Sequence, residues 1–194
     1  MAHLVLVKHS LPAIDPARPA HSWHLAPEGR RRCAALAAHL AAYLPARLAC
    51  SPEPKAAETA ALAGASLGLV PHVVGGLEEH HRATAAFLGQ EAFQRTMAAF
   101  FAAPDRLIFG EETADAAYHR FDTAVGQLIA AAPHETHIVV AHGTVISLFA
   151  SRHCGLAPFP LWQRLGLPSF VVLELPALRL VTVVDTVASD GAVS

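Results

Sequence analysis

Two histidines, two lysines and a pair of glutamates carry most of the reactive potential of this 194-residue chain. Lys8-His9-Ser10, the run from Ser51 to Lys55, and His142-Gly143-Thr144 each follow directly on a short apolar stretch. An imidazole can act as nucleophile or base near neutrality, and ammonium groups attract and neutralise an anion. Together they describe a site for a charged, transferable group. Twelve of the 14 basic residues are arginine, and the only lysines are Lys8 and Lys55. Two lysines scattered over those positions would fall on this pair in roughly one draw in 91, so a compact ammonium is wanted there.

The elements that must position these groups follow from apolar patterning. Residues 4–7 form a continuous apolar run, as in a strand covered on both faces. Shorter runs at 47–50 and 136–141 predict two more strands, and 70–74 a third. A proline-rich loop after the first run leads to Pro27-Glu28-Gly29, which opens a helix to about residue 44. Further helices are predicted at 53–67, with Gly68 as its cap, at 90–103 and 113–132, and at 145–153. The apolar stretches 170–175 and 180–184 flank Pro176 and predict a hairpin near a sheet edge. Strand–helix alternation predicts an α/β domain with a largely parallel sheet. In such sheets the carboxyl ends of the strands form the ligand crevice, which is where the three reactive clusters fall.

Composition narrows the partners. With 53% hydrophobic and 15% charged residues the chain can bury a core, which excludes disorder. A formal charge of −2 argues against a basic surface for nucleic acid or anionic membrane. No apolar run reaches the roughly 18 residues of a membrane span. Cys33, Cys50 and Cys154 are widely spaced and read as reduced core thiols, so the protein is expected to be cytoplasmic. Residues 1–187 are expected to form a single domain with a mainly helical insertion at about 78–132, and 188–194 a flexible tail. The apolar C-terminal hairpin makes a homo-oligomer possible.

Four segments, taken in order, resemble the histidine phosphatase superfamily, also called phosphoglycerate mutase-like. Val7-Lys8-His9-Ser10 is similar to its Arg-His-Gly run, and Ser51-Pro52-Glu53-Pro54-Lys55-Ala56-Ala57-Glu58-Thr59-Ala60 to its Ser-Pro-x-x-Arg-Ala-x-x-Thr-Ala segment. Leu77-Glu78-Glu79 resembles its Leu-x-Glu motif, and Val140-Ala141-His142-Gly143 its second histidine motif. The resemblance implies a three-layer α/β/α sandwich with a largely parallel central sheet. It also implies metal-independent hydrolysis of phosphate monoesters without a cofactor. His9 would be the nucleophile that becomes phosphohistidine, His142 a phosphate donor, and Glu79 the proton donor, with Glu78 as the alternative. Lys8, Lys55 and Arg82 would hold the phosphate of a small phosphorylated molecule.

The departures from that pattern are specific. Lysine replaces arginine at positions 8 and 55, serine replaces glycine at 10, and Asp15 stands where many relatives have asparagine. An ammonium retains charge but loses the planar fork that holds two phosphate oxygens. A non-catalytic protein that binds or senses a phosphorylated ligand is therefore a second reading. A third comes from the 13 histidines. His21-x-x-His24, His80-His81 and His134-x-x-His137 could ligate a metal in a metal-dependent hydrolase. Bland roles stand beside the sharp ones: Arg120 as an ion-pair partner, and Trp23 as a lid or as a pin for the proline-rich loop.

Overall fold

A computed structural model describes residues 1–188. The tail expected from residue 188 lies, at 189–194, outside the described residues. Six strands form one mixed sheet: β1 (His3–Lys8), β2 (Ala46–Cys50), β3 (His72–Val73), β4 (Thr136–Ala141), β5 (Ser169–Glu174) and β6 (Arg179–Val184). Their order is β3-β2-β4-β1-β5-β6. The first four are mutually parallel, and β5 and β6 run antiparallel as the edge hairpin.

Side-chain alternation assigns the helices to the two faces. Val5, Val7, Leu48, Cys50, Ile138 and Val140 point to one face, under α1 (Pro27–Leu40) and α2 (Pro54–Leu67). Leu4, Leu6, Val139, Ala141, Val171 and Leu173 point to the other. There they meet α3 (Gln90–Ala102), α4 (Ala114–Ala131), α5 (Gly143–Cys154) and α6 (Pro158–Arg164). The result is three layers, helices over each face of one sheet. A seven-residue, proline-bounded helix such as α6 leaves no periodicity to read. The first helix stops at Leu40 and continues as a 3-10 turn (Ala41–Tyr43), short of the predicted end at 44.

Two glycines bear on the site's frame. A Cβ on Gly29 would lie 2.1 Å from the Leu11 carbonyl oxygen, so only glycine lets α1 back onto the loop that follows His9. Gly68 ends α2 in the left-handed region at φ 69°, as a cap glycine does.

The decisive feature is between β1 and β4. These neighbours are parallel, with Lys8 beside Ala141. After β1 the chain turns to the α1 face, and after β4 to the α5 face. That divergence opens a crevice at the carboxyl ends of the two strands. His9 and His142 are the next residue on each.

Candidate active site

The backbone N–H of His9 donates to the Ala141 carbonyl at 3.0 Å, extending the β1–β4 ladder one residue into the crevice. Its ring Nδ1 lies 2.7 Å from the Ser10 carbonyl oxygen. A carbonyl only accepts, so Nδ1 carries the proton and Nε2 the free lone pair. Burial, then the Lys55, Lys8 and Arg82 charges, hold the His9 pKa well below its ordinary value. The ring is therefore a neutral imidazole at physiological pH. Ser10 is itself built in: its hydroxyl donates to the Gly29 carbonyl and its N–H donates to the Thr59 hydroxyl.

His142 is fully buried, its ring centroid 5.2 Å from that of His9. Its Nε2 lies 2.8 Å from the Ser51 hydroxyl. Ser51 also accepts the Glu53 N–H. The other ring nitrogen, Nδ1, is buried with no hydrogen-bond partner among the described residues; it is an N–H donor in the tautomer in which the Ser51 hydroxyl donates to Nε2. Burial and then Lys55 keep His142 neutral as well.

Three cations, Lys55, Lys8 and Arg82, act on the His9 ring. Lys55 is buried, and its Nζ donates to the Ala20 carbonyl at 2.7 Å and to Glu53 Oε2 at 2.5 Å. Lys8 continues the Leu4-Leu6 phase of β1 towards α5, and its Nζ donates to the Leu165 carbonyl at 2.5 Å. Burial pulls the Lys8 pKa down to about 8, partly countered by Glu79. Arg82 supplies the only guanidinium in the cavity beside Lys55; its Nη1 is buried without a partner among the described residues.

Glu53 was not singled out by sequence. It is 7% exposed, pairs with Lys55, accepts the Glu79 N–H through Oε1 at 2.8 Å, and stands 3.7 Å from His142 Nε2. A carboxylate thus lies inside the anion pocket. The one signal for it was a glutamate two residues before Lys55, which reads equally well as an ordinary acid at a helix start.

The two adjacent glutamates both line the cavity but take different partners. Glu78 turns to the Gly76 N–H and to Arg120. Glu79 lies in the cavity, accepts from the His80 N–H, and has Oε2 3.3 Å from the Thr144 N–H. Burial alone would raise its pKa, but the Arg82 charge and those two N–H groups outweigh burial and leave it lowered. The cavity, of about 720 Å³, is also lined by Ala20 and Glu111.

Other sequence features take structural places. Arg120 donates to Glu112 and to the carbonyls of Gly76, Glu78 and Glu79, fixing the acid-bearing loop. The Trp23 indole donates to the carbonyls of Asp15 and Arg18, pinning the proline-rich loop. The Asp15 carboxylate is exposed and accepts the Ala17 N–H. His80 is wedged against Phe100 and Phe109, His24 pairs with Glu58, and His137 bonds the Ala132 carbonyl. Among the described residues no group of three or more His, Cys, Asp or Glu is placed to hold a metal ion. No helix among them is long and apolar enough to cross a membrane.

Residues 16–179 match the family model of the histidine phosphatase superfamily (branch 1). The chain belongs to that superfamily. The match begins after the Lys8-His9-Ser10 segment, so membership does not rest on the altered first motif. Solved members share the fold at low identity. A mycobacterial glucosyl-3-phosphoglycerate phosphatase superposes with a TM-score of 0.75 at 19% identity, covering 97% of this chain and 98% of its own. Phosphoserine phosphatase from Entamoeba histolytica, in complex with 3-phosphoglyceric acid, gives 0.76 at 16% identity, covering 96% and 98%. Bacillus stearothermophilus YhfR gives 0.74 at 20%, covering 100% and 98%. The mycobacterial phosphatase has also been solved with inorganic phosphate and with VO3. No curated protein sequence matches this histidine phosphatase superfamily member significantly.

Proposed function

We propose that this protein hydrolyses phosphate monoesters of small molecules through a phosphohistidine on His9, without a metal or other cofactor. One observation carries the reading: a neutral imidazole, locked through Nδ1 so that Nε2 is the free nucleophile, stands beside the unpartnered, buried Nδ1 of His142 and three cations.

Nε2 attacks phosphorus as the ester P–O bond breaks. His142 Nδ1–H, Arg82, Lys8 and Lys55 face the charge on the transferring oxygens. The leaving oxygen needs a proton, and Glu79 is the carboxyl in place to give one. Glu79 is ionised in the free protein, so the role requires proton uptake when a phosphate dianion arrives; a like charge nearby raises a carboxyl pKa. In the second step water attacks the phosphohistidine, its proton returns to Glu79, and His9 leaves as neutral imidazole. Membership of a superfamily whose solved relatives include phosphatases supports the reading.

The test is phosphate release from an aryl phosphate, with and without chelator. Turnover should survive chelation and fall at least about a thousandfold in His9→Ala. Loss on chelation would favour the metal-dependent alternative. Glu53 is the observation that favours a second reading, because its carboxylate offsets one cation in the pocket. Binding of phosphate or vanadate with no turnover of any ester would identify a sensor.

A further inference from the structure

Resting on the reading of a monoester phosphatase, we infer that its substrates carry an apolar organic group, an alkyl or aryl moiety, rather than the charged or hydroxylated groups of an amino acid or sugar phosphate. A second cavity of about 660 Å³ adjoins the one beside Lys55 and Glu79, and Ala20, Arg82 and Ala83 line both. That volume suits a small organic group. The two chambers differ in chemistry. Glu53, Lys55, Glu79 and Glu111 line the first. Ile14, Trp23, Phe87, Leu88, Phe93 and Phe109 line the second, which holds no carboxylate.

Arg82 joins them. Its guanidinium lies 5.1 Å from the centre of the Phe93 ring, while its Nη1 is buried and unpartnered among the described residues. An ester phosphate held on Arg82 has the aromatic chamber within reach of its organic group. Trp23 and Phe87, from separate loops, meet at 6.5 Å and close that chamber's wall. The Trp23 N–H is already satisfied by two carbonyls, so the ring presents carbon. A hydroxyl or ammonium on the substrate would be desolvated there with few partners, Arg18, Arg82 and Gln90 being the polar side chains on the lining.

The test uses ethyl, butyl and hexyl phosphate, whose leaving alkoxides are of equal basicity, with O-phosphoserine beside them. kcat/KM should climb with chain length, by up to about fourfold for each methylene that is buried. Phosphoserine should fall below butyl phosphate. Phe87→Ser should cut the hexyl-to-ethyl ratio by about tenfold, and Ile14→Ser should cut it less; both side chains are more than half exposed, so the fold does not depend on them. Calorimetric binding of the same esters separates the two claims. No turnover with tighter binding of hexyl phosphate defeats the hydrolytic reading and keeps the chamber. Turnover with a flat chain-length series, or with phosphoserine preferred, overturns the inference.

Discussion

Lys8 and Lys55 occupy comparable places, each near the carboxyl end of a parallel strand, yet the protein surrounds them differently. Lys55 has a carboxylate, Glu53, fixed against it and a carbonyl behind it. Lys8 bonds the Leu165 carbonyl, with no carboxylate paired to it among the described residues; burial draws its pKa down to about 8 against a weaker pull from Glu79. The difference shows two ways of keeping an ammonium in a dry pocket. One compensates the charge by direct contact and gives up part of its pull on a ligand. The other leaves the charge largely uncompensated, so it can act more fully on an anion but is lost in mild alkali.

The largest expected effect comes from breaking the compensated side. Lys55→Ala leaves Glu53 buried and unpaired, which should cost about 3–5 kcal/mol in denaturant unfolding and lower kcat/KM about a thousandfold. Lys8→Ala strands only a carbonyl and should cost about 1–3 kcal/mol. Equal losses of stability would erase the distinction. A double-mutant cycle between Glu53→Ala and Lys55→Ala should then return a coupling of about 1–3 kcal/mol, whereas one between Glu53→Ala and Lys8→Ala should be near zero.

The uncompensated side is sharpened by pH. The Lys8 ammonium is present below about 8 and lost above it, so kcat/KM should decline by up to about tenfold per pH unit beyond that point. Lys8→Arg keeps its charge and should move the decline to higher pH. An unchanged profile would remove Lys8 from the phosphate site. The smallest effect is steric. A Cβ on Gly143 would sit 3.0 Å from Lys8 Cε, and Gly143→Ala should shift that stem enough to lower activity about threefold without moving the Lys55 side.

The frame of this site was legible because burial and alternation write themselves into residue order. Residues 4–7 and 138–141 are apolar because β1 and β4 lie in the middle of the sheet, and His9 and His142 come just after the two strands. What was not legible depends on directions that sequence does not carry. Glu78 and Glu79 are indistinguishable as letters; both line the cavity, and only the fold pairs one with Arg120 and sets the other against the Thr144 N–H. Glu53 reads as a helix-start acid until the turn after β2 folds it against Lys55. The apolar chamber draws Trp23, Phe87 and Phe109 from segments far apart in the chain, so no local pattern announces it.

The most direct test of the account is to mix the protein rapidly with an aryl phosphate, quench in alkali and weigh its peptides by mass spectrometry. A phosphohistidine bond survives alkali and breaks in acid. The account predicts a phosphoryl group on the peptide bearing His9, absent after acid treatment and absent from His9→Ala. Turnover with no such adduct at any mixing time, or an adduct on another residue, would contradict it.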